Sequence, residues 1–85
     1  DFLTEDNSNG DLVVIELKRG KSSDSAVGQI LRYIGWVSQN ISREGQRVRG
    51  IIVAKEMDDA LRYATNELKQ VGIRTYRVDF HLQEE

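Results

Sequence analysis

Glu16 and Lys18 stand two residues apart at the end of an otherwise apolar run, LVVIELK. Side chains alternate across a β-strand, so both point to one face of the strand, which Leu12 and Val14 share. This face is apolar at its start and charged at its end. The charged end is the carboxyl end of the strand, where open α/β sheets bind their ligands. The pair is therefore a candidate for a functional site at this edge of a sheet.

A second carboxylate reaches the same place through a β-hairpin. Asp1 begins a short run, DFLTE, and the turn formers Asp6-Asn7-Ser8-Asn9-Gly10 separate this run from the strand that carries Glu16. Two carboxylates in contact repel each other unless a cation neutralises them, and carboxylate oxygens suit Mg²⁺ or Mn²⁺. Such an ion activates water and holds a phosphate. We therefore expect Asp1 and Glu16 to bind the metal, and Lys18 to stabilise charge that develops during phosphodiester hydrolysis.

The charge distribution permits a nucleic-acid partner over a limited surface, but from charge alone ordinary surface charge is the favoured explanation. The chain as a whole carries a net charge of −2. From residue 18 to residue 49, however, seven basic residues oppose two acidic residues, a balance of +5. Such a region is enough to contact a phosphate backbone, although ordinary surface charge explains the same count. An isolated Glu-x-Lys is likewise most often a solvated ion pair, since short motifs match by chance.

Hydrophobic periodicity predicts the elements that position this site. The first two strands and their turn form a hairpin, and the second strand is apolar on both faces, as in a central strand. Apolar residues recur at three- and four-residue spacing from Ala26 to Ile41, which indicates an amphipathic helix that ends before Gly45. Short crossovers then imply parallel strands in a small mixed α/β sheet flanked by helices. The order is β-β-α-β-α-β, with strands at 1–5, 11–18, 47–55 and 73–82 and a second helix from Met57 to a stop at Gly72.

Length and composition bound the class of protein. The chain has 85 residues and no cysteine, which predicts one domain with a modest core and excludes disulfides and Cys-based zinc sites. No apolar run approaches the length of a membrane span, and no signal-peptide pattern is present, so we expect a cytoplasmic protein. Because the first residue is Asp rather than Met, we expect residues 1–85 to be a single domain that is a fragment, a processed chain or the ordered part of a longer chain.

Together these motifs resemble a known family. Asp1 followed by Glu16-Leu17-Lys18 on the next strand resembles the PD-(D/E)XK nuclease superfamily, and Gln29-Ile30-Leu31-Arg32-Tyr33 matches the Gln-x-x-x-Tyr element of its RecB-like branch. The run LVVIELKRGKSSDSAVGQILRYIGWV is similar to the C-terminal nuclease domain of NucS-like endonucleases, and the likeness extends to about Phe80. The resemblance implies a restriction-endonuclease-like α/β core and a Mg²⁺- or Mn²⁺-dependent DNA endonuclease of DNA repair.

The resemblance also implies roles for individual residues. Asp1 and Glu16 would bind the metal, together with the main-chain carbonyl of Leu17. Lys18 and Gln29 would complete the catalytic set. Nucleic acid would contact Lys18, Arg19, Lys21, Arg32 and Tyr33. The family's upstream helix and first strand are not found before Asp1, and their loss would leave a sheet edge open.

Two further functions and two further signals accompany this interpretation. A nuclease fold without the chemistry would bind nucleic acid through its basic segment, and an open sheet edge would pair with a second chain to form a homodimer. Gly20-Lys21-Ser22 resembles the tail of a phosphate-binding loop, but Ile15 stands where that motif requires glycine. Because large aromatic side chains are mostly buried, we expect three of them to pack in the core: Trp36, Tyr63 and Tyr76.

Overall fold

The computed structural model describes residues 2–22 and 24–83. Within them the chain forms two helices, α1 at Ser25–Asn40 and α2 at Asp59–Asn66. The strands are β1 at Phe2–Glu5, β2 at Leu12–Leu17, β3 at Lys21–Ser22, β4 at Val48–Ala54, β5 at Glu56–Met57 and β6 at Val71–Thr75. The predicted hairpin followed by α-β-α-β is confirmed, with β3 and β5 as additional short strands. Neither helix in this part of the chain is long and apolar enough to cross a membrane.

Four strands form the main sheet, in the order β1-β2-β4-β6. β1 is antiparallel to β2, with Phe2 opposite Ile15. β2, β4 and β6 are parallel, and Ile52 of β4 lies opposite both Glu16 and Ile73. The predicted small mixed sheet is therefore confirmed, and the carboxyl ends of its three parallel strands meet at one edge.

Both helices pack on one face of the sheet, because their apolar residues share a single core with alternate residues of β2 and β4. Ile30 of α1, Ile52 of β4 and Leu61 of α2 are completely buried there, and burying each such side chain contributes about 2 kcal/mol. α1 approaches β4 so closely that a Cβ atom at Gly50 would lie 2.6 Å from Ile30 Cδ1. A larger residue at this position would force the buried Ile30 and Ile34 side chains to shift, at a cost of about 1 to 3 kcal/mol.

Two of the predicted element boundaries are wrong. α2 ends at Asn66 rather than at Gly72, and the chain then turns, with the Leu68 N–H donating to the Thr65 carbonyl at 3.1 Å. Gly72 lies inside β6 instead. The last strand ends at Thr75, opposite Ala54, where β4 also ends. Beyond this point the described chain lacks a strand partner, and its apolar side chains are exposed: Val78, Phe80 and Leu82.

Two of the three aromatic residues predicted to pack in the core lie on the surface. Trp36 is 59% exposed and Tyr63 is 68% exposed, and neither belongs to the core that the helices share with the sheet. Tyr76 is half-buried. Trp36 lines an apolar groove of about 580 Å³ between α1 and β1, together with Phe2, Leu3, Val14, Arg32, Tyr33, Val37 and Ile41.

One arginine binds two acidic residues at the amino ends of the parallel strands, opposite the predicted site. The Arg49 guanidinium donates from Nη2 to Asp6 Oδ2 at 2.7 Å and from Nε to Asp11 Oδ2 at 3.2 Å. Asp6 also accepts hydrogen bonds from the main-chain N–H and the hydroxyl of Ser8. The turn between these acids closes at Gly10, whose φ of +79° favours glycine. The network therefore joins the hairpin turn to β4.

Candidate active site

Glu16 lies near the carboxyl end of β2 and is almost completely buried. Its side chain is 1% exposed, because Ile52 stands beside it on β4 and α1 covers this face of the sheet. Neither carboxylate oxygen accepts a hydrogen bond from the described residues. A carboxylate in such surroundings is costly for the fold unless another group compensates its charge. Glu16 is therefore a candidate ligand for a cation.

The Lys18 ammonium stands beside this carboxylate. Its Nζ atom lies 3.3 Å from Glu16 Oε1, within ion-pair distance but without the geometry of a hydrogen bond. Nζ donates instead to Gln29 Oε1 on α1, at 3.0 Å. The main-chain N–H of Lys18 donates to the Val53 carbonyl of β4 at 2.8 Å. The structure thus brings Glu16, Lys18 and Gln29 together, and it holds the lysine from a strand and from a helix.

The described residues offer several oxygen atoms to which a divalent cation could bind. Glu16 offers two carboxylate oxygens without hydrogen-bond donors, and Leu17, with its main-chain carbonyl, follows it at the end of β2. Asp1, the second predicted acid, lies outside the described residues, while its neighbour Phe2 pairs with Ile15. Within residues 2–22 and 24–83, no three His, Cys, Asp or Glu side chains form a group that could hold a metal. The remaining ligands would have to be residue 1, main-chain oxygen or water.

The predicted contacts to nucleic acid fall into two groups. Arg19 is exposed directly after Lys18, and Lys21 lies in β3 on the same loop. Arg32 and Tyr33 are exposed on α1, where they line the apolar groove toward β1. The first group continues from the site along the loop after β2, whereas the second group belongs to a different surface of α1.

Sequence reasoning missed a short ladder beside the site. β3 and β5 pair in parallel, with Lys21 opposite Glu56. The Gly20 carbonyl accepts from the main-chain N–H groups of Lys55 and Glu56, at 3.1 and 3.3 Å. These bonds tie the loop after Lys18 to the end of β4 and bring Lys55 to this edge. Strands of two residues carry no hydrophobic period, so the sequence contains no signal for them.

Residues 1–83 match the protein family described as the endonuclease NucS C-terminal domain. Endonuclease NucS from Pyrococcus horikoshii is 38% identical to this chain over 53 residues, which are 62% of this chain and 20% of that protein. The chain therefore spans about a fifth of the length of this curated relative.

Two solved structures share the fold over most of the chain. The crystal structure of a repair endonuclease from Pyrococcus abyssi has a TM-score of 0.72 at 30% identity, and the match covers 87% of this chain and 30% of that one. The structure of an EndoMS–dsDNA complex has a TM-score of 0.72 at 26% identity and covers 93% of this chain and 31% of that one. In both, the matched part is under a third of the other chain.

Proposed function

Since this chain belongs to the endonuclease NucS C-terminal domain family, we propose that it is a metal-dependent DNA endonuclease domain that hydrolyses phosphodiester bonds. The observation that carries the proposal is the Glu16 carboxylate, which is buried without a hydrogen-bond donor beside an ammonium that α1 holds in place. Such an arrangement contributes little to the stability of a fold. A site that binds a cation and a phosphate, by contrast, requires both groups.

Lys18 acts on the phosphate. The ammonium has three N–H donors, one of which is engaged by Gln29 Oε1. A remaining donor reaches a phosphate oxygen and stabilises the negative charge that develops there as water attacks the phosphorus atom. Gln29 is a positioning residue, because it fixes the direction of the Lys18 side chain without contacting the substrate. Val53 fixes the main chain of Lys18 in the same way.

Glu16, the Leu17 carbonyl and Asp1 are the proposed ligands of one Mg²⁺ or Mn²⁺ ion. When bound, such an ion supplies a water nucleophile at neutral pH and neutralises phosphate charge. The burial of Glu16 keeps other hydrogen-bond donors away, so both of its oxygens remain available to a cation. Binding would also compensate the unpaired carboxylate, and we therefore expect Mn²⁺ to raise the melting temperature of the protein.

DNA is the proposed substrate. The matched relatives are named an endonuclease and a repair endonuclease, and a further match is a complex with double-stranded DNA. In this chain, exposed Arg19 directly follows Lys18, and exposed Lys55 lies beside the same loop. These charges surround the proposed site with the positive potential that a phosphate backbone requires.

Cleavage of double-stranded DNA in the presence of Mg²⁺ or Mn²⁺ tests the proposal. Glu16→Ala and Lys18→Ala should each reduce the cleavage rate at least about a hundredfold, as expected when a group that stabilises the transition state is removed. Lys69→Ala is the matched control, since Lys69 is an exposed lysine between α2 and β6, at the opposite edge of the sheet. Unchanged cleavage in the Glu16 and Lys18 variants would overturn the proposal.

A second candidate is a nuclease-fold module that binds nucleic acid without cutting it. The observation that favours it is the exposed basic side chains of Arg19 and Lys55 beside the site, which would contact phosphates without any cleavage chemistry. DNA binding that weakens steeply with salt, in a protein that cuts no DNA in either Mg²⁺ or Mn²⁺, would select this alternative.

A homodimer is compatible with either candidate. β1 lies at the edge of the sheet, and within the described ranges β2 is its only strand neighbour. The outer edge of such a strand is a ready template for pairing with another chain. Light scattering that gives twice the mass of the chain would support dimerisation, and a monomer at every concentration would reject it.

A further inference from the structure

The carboxyl edge of the main sheet carries cations on three neighbouring strands. Lys18 follows β2, Lys55 follows β4, and Arg77 comes two residues after β6. Hydrogen bonding continues past the end of the paired region, because the Tyr76 N–H donates to the Ala54 carbonyl at 3.1 Å. The three strand ends therefore stay side by side, and their cations lie along one edge.

A cavity of about 450 Å³ opens at the ends of β4 and β6. It adjoins the loop that follows Lys18, since the Lys55 N–H donates to the Gly20 carbonyl. The proposed mechanism uses none of the residues that line this cavity, which are Lys55, Glu56, Thr75, Tyr76 and Arg77.

The lining has the chemistry of a site for a phosphodiester. Lys55 and Arg77 supply two positive charges against the one negative charge of Glu56, and hydroxyl groups of a threonine and a tyrosine add neutral donors. Arg77 Nε lies 3.3 Å from Asp79 Oδ1, but the two side chains are 85% and 61% exposed. An ion pair that is this exposed to water contributes less than about 1 kcal/mol to stability. The guanidinium is therefore able to exchange this partner for a phosphate, which it binds in bidentate geometry.

We propose that this cavity is a second phosphate subsite, which holds a backbone phosphodiester of DNA beside the bond that is cut. The inference rests on the proposed function, because it extends the same substrate across the edge of the sheet. β2 and β6 are two strand spacings apart, about 10 Å. Successive phosphates of one DNA strand also step around the helix, so their separation exceeds the axial rise of about 3.4 Å. The subsite therefore holds a phosphate about one or two nucleotides from the scissile one, with Lys55 and Arg77 as its charged contacts.

The salt dependence of DNA binding tests the subsite without relying on cleavage. The dissociation constant for a short labelled duplex is measured over a series of salt concentrations in the presence of EDTA. The logarithm of the affinity falls as the logarithm of the salt concentration rises. Each lost phosphate contact makes this slope less steep by about 0.9. Lys55→Ala and Arg77→Ala should each lower the slope by about this amount, and the double variant by about twice as much. Lys69→Ala removes the same charge at the amino ends of the strands, away from the cavity, and should leave the slope unchanged.

Three outcomes overturn the subsite. The first is an unchanged slope in the Lys55 and Arg77 variants. The second is an equal loss of slope in Lys69→Ala, which would indicate general surface charge. The third is Lys55-dependent binding of inorganic phosphate with an unchanged slope for the duplex, because the ligand would then be a free phosphate. Reduced slopes in a protein that cuts no DNA would support the subsite and reject the nuclease proposal, so the two failures are distinguishable.

Discussion

The two ends of β2 accommodate a buried acid in opposite ways. Asp11 precedes the strand and is 7% exposed, and Glu16 lies near its other end. Asp11 is paired with the Arg49 guanidinium at 3.2 Å, and its main-chain N–H donates to Asn9 Oδ1 at 2.9 Å. Glu16 has an ammonium at ion-pair distance, but within the described residues it has no hydrogen-bond donor. The buried acid just before β2 therefore has a charged partner, whereas the buried acid near the carboxyl end of β2 has no hydrogen-bond donor among the described residues.

This difference separates the residues that hold the fold from the residues of the proposed site. Buried polar groups in folded proteins are almost always hydrogen-bonded, and Asp11 follows that rule. Glu16 departs from it at the edge where parallel sheets bind ligands, and the departure is explained if a ligand completes its surroundings. Substitutions at the two ends of β2 should therefore affect different properties, stability at one end and activity at the other.

The largest expected effect is that of Glu16→Gln on cleavage. The amide keeps the size of the side chain but is a poor ligand for Mg²⁺, so the cleavage rate should fall at least about a hundredfold. The free energy of unfolding should stay within about 1 kcal/mol of the parent value or rise, because a buried neutral amide costs less than a buried charge. DNA cleavage and chemical denaturation measure the two quantities.

Glu16→Asp is the control for this prediction, because it keeps the charge and shortens the side chain. We expect it to retain more activity than Glu16→Gln in Mn²⁺. A loss of several kcal/mol of stability in Glu16→Gln, with cleavage retained, would show that this acid holds the fold and would remove the contrast between the two ends of β2.

The next effect in size is that of Arg49→Ala on stability. The change leaves the Asp11 carboxylate buried without its cation, and it separates the hairpin turn from β4. Removing one partner of a fully buried pair costs about 3 to 5 kcal/mol. Because the Arg49 side chain is about a third exposed, we expect a loss of about 2 kcal/mol, measured by urea denaturation.

Arg47→Ala is the matched control for Arg49→Ala. Arg47 is exposed and lies just before β4, so its removal should change the free energy of unfolding by less than about 0.5 kcal/mol. The double variant Arg49→Ala/Asp11→Asn should recover part of the lost stability, since it no longer buries an unpaired charge. Equal losses in Arg47→Ala and Arg49→Ala would contradict the role assigned to the network.

Local patterns predicted the carboxyl end of β2 better than its amino end. Glu16 and Lys18 share a face because of strand alternation alone, and the turn formers at residues 6–10 set the hairpin. The network at the amino end joins residues that are 38 and 43 positions apart. No periodicity within one element indicates a contact over such distances. Sequence patterns therefore missed the stabilising network, although they indicated correctly that Glu16 and Lys18 share a face.

The wrong predictions have a common physical cause. The alternation of Tyr76, Val78, Phe80 and Leu82 resembles a strand, but a strand also requires a neighbour, and β4 ends at Ala54. Trp36 fits the expectation that large aromatic residues are buried, yet in the described residues it lines an open groove. Composition and periodicity predict the tendency of a segment, whereas the elements that pack against it decide the outcome.

A smaller effect is expected from Gln29→Ala. The change removes the acceptor that holds the Lys18 ammonium at 3.0 Å, while the lysine itself remains. Loss of a residue that positions a catalytic group typically costs about tenfold to a hundredfold, and we expect about tenfold, in kcat rather than in KM. Gln29→Glu keeps an oxygen at the same place and should restore most of the rate. A change confined to KM would instead assign Gln29 to substrate binding.

The smallest expected effect is the pH dependence that Asp6 contributes to the free energy of unfolding. Asp6 belongs to the Arg49 network at the amino end of β2. Hydrogen bonds from the Ser8 hydroxyl and N–H, and then the Arg49 guanidinium, lower the pKa of the Asp6 carboxyl in the folded protein. A group with a lowered folded pKa stabilises the fold above its unfolded pKa, and this contribution is lost as pH falls through the folded value. The loss should therefore occur below about pH 4. The free energy of unfolding of the protein and of Asp6→Asn should differ at pH 6 and converge toward pH 2, and a difference that stays constant over this range would show that the Asp6 charge does not contribute to the network.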